Sequence, residues 1–204
     1  AETAIIPRID RAAQALELLL NFEQDYPDET ALFGRVWRVR LLAYESLGQL
    51  DEAARAIPAY VAAAPQSAGP TLEVLYAAMA ADVDKLRAAG NETSAQRKAE
   101  VALLLAEQLG GWAETNGAAE TGVDRRERRV QLAEANLQAG KYERARELFA
   151  ECAAGKDDAA LPTNDTDLRV VFGQAESLYR RGQFAEALPK FNRLATHLTP
   201  GHPI

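Results

Sequence analysis

The sequence is short of the residue types from which catalytic and metal sites are built. It has one cysteine and two histidines in 204 residues. Because Cys152 is its only cysteine, the chain cannot form an internal disulfide, and the sequence leaves its redox compartment undecided. His197 and His202 have no cysteine or carboxylate beside them and make a poor metal site. A phosphate-binding glycine loop, a paired-histidine helix motif and a plausible serine, histidine and aspartate set are also missing. We therefore expect no enzymatic activity, no metal and no cofactor.

Positive charge and long apolar runs are scarce as well. The net charge is -7 and the pI is near 5.0, which argues against nucleic acid or an anionic membrane as the main partner. No run reaches the roughly 18 apolar residues that span a bilayer, and the N-terminus lacks a basic segment followed by an apolar one. We expect a soluble chain without membrane insertion, whose location, cytoplasmic or exported, the sequence leaves open.

Alternating strand-like runs are missing too, whereas apolar residues recur at helical spacing along almost the whole chain. Glycine, proline, asparagine and aspartate collect at the breaks between these periodic segments. The breaks divide the sequence into about nine helices, so we expect an all-α fold. Thr93 and Thr121 are candidate helix caps, and Pro58 and Pro189 are expected to bend the helices that contain them.

One pattern occurs three times. A glycine is followed at the second, fifth and ninth positions by a bulky apolar residue, an alanine and a second bulky apolar residue. The copies are Gly48, Leu50, Ala53, Ile57; Gly140, Tyr142, Ala145, Phe149; and Gly182, Phe184, Ala187, Phe191. Such self-similarity predicts a stacked helical repeat. Each glycine is expected to end the first helix of a hairpin in the left-handed conformation, and each alanine to let the second helix approach closely.

The segment from Trp37 to Pro65 resembles the tetratricopeptide repeat. Besides Trp37 and Pro65 it has Tyr44, Gly48, Ala53 and Ile57 at the family spacing. It departs from the signature at Arg40 and Leu41, where the family has leucine and glycine. Two further copies support the resemblance: Leu132, Ala133, Gly140, Tyr142, Ala145, Phe149; and Ala175, Leu178, Gly182, Phe184, Ala187, Phe191, Pro200. The resemblance implies a right-handed α-solenoid of helical hairpins.

A fourth, weaker copy begins at Gly90 and keeps only the alanine, Ala95, because Glu92 and Ala99 replace the bulky residues. With it the glycines are separated by 42, 50 and 42 residues, against a usual period of about 34. We assign the extra length of this unit to its helices. The predicted single array comprises residues 1–28 (the second helix of a truncated unit), 29–67, 68–117 (long and divergent), 118–160 and 161–204.

No polar capping helix is evident at either end of the sequence. Because an uncapped repeat leaves an apolar face in water, we expect a fragment of a longer repeat protein whose end helices can pair with other copies. Abundant alanine and the excess of arginine over lysine favour a bacterial source with a GC-rich genome.

The resemblance also implies where a partner would bind, namely on the concave groove formed by the first helix of each unit. The corresponding positions are Arg35, Arg38, Leu42, Glu45, Asp84, Arg87, Gln131, Glu134, Gln138, Arg169, Phe172, Glu176, Tyr179 and Arg180. Some family members grip a terminal carboxylate with a clamp of lysines and asparagines. Leu42 and Gly173 stand where two clamp residues would be, so we reject that specialisation. A bound peptide, extended or helical, would be held by arginine forks and by Phe172 and Tyr179.

Three other features have alternative interpretations. The cluster Arg125, Arg126, Arg128 and Arg129 is either a solvated helix face or a contact for an acidic partner. Cys152 is expected to be a buried structural thiol rather than a nucleophile. Trp112 fits either the core or a surface contact.

Two functions are consistent with the sequence. The first is a non-enzymatic scaffold that binds a protein or peptide in its groove. The alternative is a structural or self-assembly segment that spaces or stacks other domains of a larger protein.

Overall fold

A computed structural model of the chain describes residues 6–66, 68–116, 122–154, 162 and 164–197. These residues form helices and connecting turns without strands, which confirms the predicted all-α class. Within the described ranges nine helices have at least 12 residues, and α2 is a single turn. The helices are α1 (Ile6–Leu19), α2 (Phe22–Asp25), α3 (Thr30–Ser46), α4 (Leu50–Ala63), α5 (Ala68–Ala88), α6 (Glu92–Asn116), α7 (Gly122–Gln138), α8 (Tyr142–Ala153), α9 (Asp165–Arg180) and α10 (Phe184–His197).

The chain divides into two compact units. Unit 1 is Ala1–Ala118 and contains α1 to α6, and unit 2 is Ala119–Ile204 and contains α7 to α10. Continuation of a single solenoid across this boundary stays a prediction.

The repeated glycines adopt the conformation that their pattern predicts. All four have a positive φ, between 68° and 77°, in the left-handed region that favours glycine. In each turn the N–H of the residue after the glycine donates to a carbonyl five residues earlier, which satisfies an acceptor at the helix end. The pairs are Gln49 to Tyr44, Asn91 to Leu86, Lys141 to Asn136 and Gln183 to Leu178, each at 2.9 Å. The weaker copy at Gly90 therefore makes the same turn as the others.

The alanines of the pattern are the points of close helix contact. Ala53, Ala95, Ala145 and Ala187 are all buried. A methyl group at these positions keeps the second helix of each hairpin near the first, and a larger side chain would force the two apart.

Unit 2 consists of two stacked hairpins, α7 with α8 and α9 with α10. α8 also packs on α9, and α7 touches α9. Phe149 of α8 is completely buried, and a Cβ atom added to Gly173 would lie 2.1 Å from its ring carbon Cζ. Gly173 therefore allows α9 to lie directly against the ring. The buried core includes Val130, Ala133, Ala145, Leu148, Phe149, Cys152 and Val170.

Unit 1 is stacked differently. α1 packs on α3, α3 pairs with α4, and α5 pairs with α6. Beyond its own hairpin, α4 packs on α6, the second helix of the next hairpin. In unit 2 the corresponding second helix, α8, packs instead on α9, the first helix of the next hairpin. As predicted, the extra length of the divergent unit lies in its helices, since α5 has 21 residues and α6 has 25.

Trp112 joins the two helices of the divergent hairpin. Its ring lies on Gly69, where an added Cβ would be 2.3 Å from the ring, and its Nε1 donates to the carbonyl of Pro65 at 2.5 Å. Trp112 is thus a packing residue with a satisfied polar tip.

Two predictions about helix starts and bends have different outcomes. The cap of α6 is Asn91, whose side chain accepts from the N–H of Ser94 at 3.2 Å, and not Thr93, which already lies in the first turn. Thr121 lies outside the described residues. α4 and α10 continue through Pro58 and Pro189, both exposed, and the bends expected there stay a prediction.

Candidate functional site

The first candidate surface lies on α3 in unit 1. Arg35, Arg38 and Leu42 follow one another at helical spacing, and all three are exposed, as is the adjacent Val39. We call these four residues the α3 surface. Glu45, one turn further on, is half-buried, and its carboxylate lies 3.5 Å from Nζ of Lys98. Glu45 therefore belongs to the contact between α3 and α6.

The two arginines of the α3 surface have no ion-pair partner among the described residues, and no carboxylate lies three or four positions from either. Like charges one turn apart repel slightly. Five other cations on helix surfaces pair with a carboxylate three or four positions away: Arg55 with Glu52, Lys85 with Asp82, Arg144 with Glu147, Arg146 with Glu143 and Arg180 with Glu176. The α3 surface is thus a local positive, partly apolar patch in an acidic chain.

Arg40 fixes α3 from its opposite side. It is only 5% exposed and makes two hydrogen bonds of 2.7 Å to the carboxylate of Glu23, with further bonds to the carbonyls of Leu19 and Leu20. Its guanidinium also lies 4.6 Å from the ring centre of Trp37. The hydrogen bond from Arg40 lowers the pKa of Glu23. These contacts give a structural reason for the arginine that departs from the repeat signature.

The other predicted groove residues of unit 1 lie on α5. Asp84 is exposed, and Arg87 is half-buried with its Nε 3.4 Å from the carboxylate of Glu92. α5 packs chiefly on α6. The described contacts therefore do not join these two residues to the α3 surface.

In unit 2, α7 and α9 share a polar stripe. Arg169 of α9 donates to Glu134 of α7 at 2.7 and 2.6 Å and also pairs with Glu127. The hydrogen bonds that Arg169 donates to Glu134 raise the pKa of Arg169. Gln131 and Gln138 lie on the same side of α7 and are half-buried. An incoming carboxylate would have to displace two glutamates from Arg169, so this arginine mainly joins the helices.

The predicted aromatic contacts of α9 lie on a different side of the helix. Phe172 and Tyr179 stack edge-on against Phe191 of α10, with ring centres 6.2 and 6.4 Å apart. Tyr179 also meets Phe184, 5.3 Å away. Glu176 and Arg180 are paired with each other at 2.7 Å. The groove residues assigned to α9 therefore divide between the polar stripe and an aromatic cluster shared with α10.

Part of the arginine cluster at the start of α7 is used inside unit 2. Arg126 donates to the carbonyl of Cys152 at 3.0 Å and to the carboxylate of Asp167 at 2.7 Å. Arg129 lies 3.7 Å from Glu151. These contacts hold α7 against α8 and α9.

Cys152 is buried, as predicted, and burial raises the pKa of its thiol to about 11. A thiol that is protonated at neutral pH is a poor nucleophile. The residue is part of the core of unit 2.

Unit 1 also has an open cavity of about 690 Å³ beside the turn at Gly48. Its apolar lining includes Leu16, Leu20 and Tyr44, and its rim includes Arg97, which pairs with Asp51 at 3.2 Å. Within the described ranges no three His, Cys, Asp or Glu residues lie close enough together to hold a metal. His202 and the side chain of His197 lie outside those ranges.

The fold defines the class of protein as all-helical, built of helical hairpins with glycine turns. No protein-family model matches the chain, and no curated protein or solved structure shows significant similarity to it. None of the described helices is long and apolar enough to cross a bilayer.

Proposed function

We propose that the chain is a non-enzymatic interaction scaffold of the tetratricopeptide-repeat type, and that its α3 surface binds an acidic segment of a partner protein. The observation that supports this most directly is the pair Arg35 and Arg38, exposed beside Leu42 and without an ion-pair partner among the described residues. In a chain of net charge -7, such a pair is a local exception.

The chemistry of the α3 surface defines the partner. Each guanidinium can bind a carboxylate through two parallel hydrogen bonds, while Leu42 and Val39 offer apolar contact between and beside the two charges. An exposed ion pair contributes only about 0.2–1 kcal/mol. The partner segment must therefore combine at least two carboxylates with an apolar side chain, since charge alone would give little affinity.

A peptide selection tests the proposal. Random peptides displayed on phage are selected on the immobilised chain and then counter-selected on the double variant Arg35→Glu/Arg38→Glu. We expect the recovered peptides to be enriched in aspartate and glutamate around an apolar residue. Their binding should weaken as salt is raised, because exposed charges are screened.

The matched control is Arg55→Glu/Arg97→Glu, which changes the net charge equally at exposed sites of the same unit. Circular dichroism verifies that both double variants fold. Recovered peptides that lack an acidic preference, or that also lose affinity for Arg55→Glu/Arg97→Glu, would contradict recognition at the α3 surface.

A further inference from the structure

The end of α2 and the turn before α3 carry an exposed group of acids. Residues 25–29 read Asp, Tyr, Pro, Asp, Glu, and all five are exposed. None of the three carboxylates has an ion-pair partner in the part of the chain that the structure describes. Glu29 directly precedes α3, but its side chain makes no capping hydrogen bond to the helix. The described contacts of unit 1 thus leave these carboxylates open to another molecule. We call residues 25–29 the acidic segment.

The acidic segment is ordered by contacts of its own. The N–H of Tyr26 donates to the carbonyl of Phe22 at 2.9 Å, and the N–H of Glu29 donates to the carbonyl of Tyr26 at 3.1 Å. The ring centre of Tyr26 lies 5.0 Å from that of Phe22, yet Tyr26 is 55% exposed. Pro27 fixes a further backbone torsion. A segment that is already ordered loses less conformational entropy when it binds.

The acidic segment has the composition that the α3 surface is proposed to select. The α3 surface presents two guanidinium groups beside Val39 and Leu42, and the acidic segment presents three carboxylates around the exposed ring of Tyr26. Guanidinium groups bind carboxylates through paired hydrogen bonds, and the ring can cover the apolar side chains. The two elements are therefore complementary in charge and in apolar character.

The other adjacent acids in the described ranges are already engaged. Asp51 and Glu52 stand at the start of α4, where Asp51 pairs with Arg97 and Glu52 with Arg55. Asp28 and Glu29 have no such cation beside them among the described residues, although Arg35 and Arg38 follow only six and nine positions after Glu29. The acidic segment and the α3 surface of one chain are thus close in sequence but not paired with each other.

We infer that the α3 surface of one chain binds the acidic segment of a second copy. The inference rests on the proposed function, because it names the occupant of the same surface. Each chain carries the acidic segment just before α3 and the two arginines in the first half of that helix. A twofold axis therefore lets each copy bind the acidic segment of the other, so that the contact is made twice.

Exchange of charge between the two elements tests the inference. Sedimentation equilibrium is measured from micromolar to millimolar concentration for the parent, for Arg35→Glu/Arg38→Glu and for Asp28→Lys/Glu29→Lys. We expect the parent to dimerise and the dissociation constant to rise at least tenfold in each variant, because like charges then face each other. An equimolar mixture of the two variants should dimerise again, since opposite charges face each other at both contacts.

Two further variants are the matched controls. Arg55→Glu/Arg97→Glu reverses two arginines at exposed positions of the same unit. Glu107→Lys/Glu114→Lys reverses two exposed acids on α6 and changes the net charge as Asp28→Lys/Glu29→Lys does. Both controls should dimerise as the parent does, and circular dichroism verifies that all four variants fold.

Three results would overturn the inference. They are a parent that stays monomeric at millimolar concentration, dimers that the controls weaken as much as the two test variants do, and test variants that fail to dimerise when mixed. The proposed function is measured separately, with the selected acidic peptides. If these peptides bind through Arg35 and Arg38 while the chain stays monomeric, the partner is another protein and only this inference fails. If the peptides also fail to bind, the proposed function fails with it.

Discussion

Arg40 and Glu23 show how one residue pair can hold two segments of unit 1 together. The guanidinium is buried and forms two hydrogen bonds to the carboxylate as well as bonds to two carbonyls at the end of α1 and just after it. Removing one partner of a buried pair leaves the other charge uncompensated, which costs more than the pair itself contributes. The pair is therefore a sensitive point of the fold.

We predict that Glu23→Gln lowers the free energy of unfolding by about 2 kcal/mol at pH 7. The pKa of Glu23 is lowered in the folded state by Arg40. Its stabilising contribution is therefore present above the unfolded pKa of about 4.3 and is lost as the pH falls through the lower, folded pKa. Urea unfolding of the parent and the variant across this pH range measures the difference between their free energies of unfolding. This difference should become smaller in acid.

The control for this pair is Glu52→Gln, which removes the exposed partner of Arg55 and should change stability by less than about 0.5 kcal/mol. An equal effect of both substitutions, or a Glu23→Gln effect independent of pH, would contradict the role assigned to Arg40.

The reactivity of the Cys152 thiol gives a second testable prediction. Because burial raises the pKa of its thiol to about 11, we expect the folded chain to resist a thiol reagent such as Ellman's reagent at pH 8 and to react fully in denaturant. Rapid modification of the folded chain would show that the thiol is accessible, and that the core of unit 2 opens readily.

At the scale of the helices, close packing in the described ranges depends on three glycines inside helices: Gly34 against Ala64, Gly69 under Trp112 and Gly173 under Phe149. These differ from the four turn glycines, whose role is a positive φ. They also differ from Gly110 in α6, beside which an added Cβ would meet no atom within 4 Å.

We predict opposite effects of two glycine-to-alanine substitutions. Gly173→Ala should lower the free energy of unfolding by about 1–3 kcal/mol, because the added methyl group would force Phe149 or α9 to move. Gly110→Ala should raise it by about 0.5–1 kcal/mol, since the alanine stiffens the helix without a clash. Chemical denaturation measures both. A neutral Gly173→Ala would mean that α8 and α9 are less closely packed than described.

Much of the helical architecture was predictable from the sequence, because the signals are local. Gly48, Gly90 and the equivalent glycines predict the turns, and the alanine five positions after each glycine predicts a buried contact between the two helices. The packing of α4 on α6 was not predictable, because no local spacing specifies which of the next two helices an apolar face will meet.

The candidate sites also divide into features that have a local sequence signal and features that depend on how the helices pack. The α3 surface has a sequence signal, two arginines without a carboxylate at helical spacing, and this signal could have distinguished Arg35 and Arg38 from the other groove positions. The pairing of Arg169 with Glu134 and Glu127 joins residues 35 and 42 positions apart. Only the packing of α7 on α9 reveals that this predicted binding arginine is already engaged.

At the scale of the whole molecule, the chain has two compact units, each with its own buried residues. We predict that residues 119–204 expressed alone are helical and unfold cooperatively, because stacked hairpins are stabilised mainly by their neighbours. Far-UV circular dichroism with thermal unfolding tests this. A fragment without a cooperative transition would show that unit 2 depends on unit 1 for its stability.

A charge exchange measures whether the α3 surface recognises carboxylates, as we propose. An acidic peptide selected on the parent chain is compared with its counterpart in which each acidic residue is lysine, against the parent and against Arg35→Glu/Arg38→Glu. We expect the acidic peptide to bind only the parent and the lysine peptide to bind only the variant, with both affinities falling in high salt. Loss of the acidic peptide without rescue by the lysine peptide, or binding of the acidic peptide to both proteins, would contradict it.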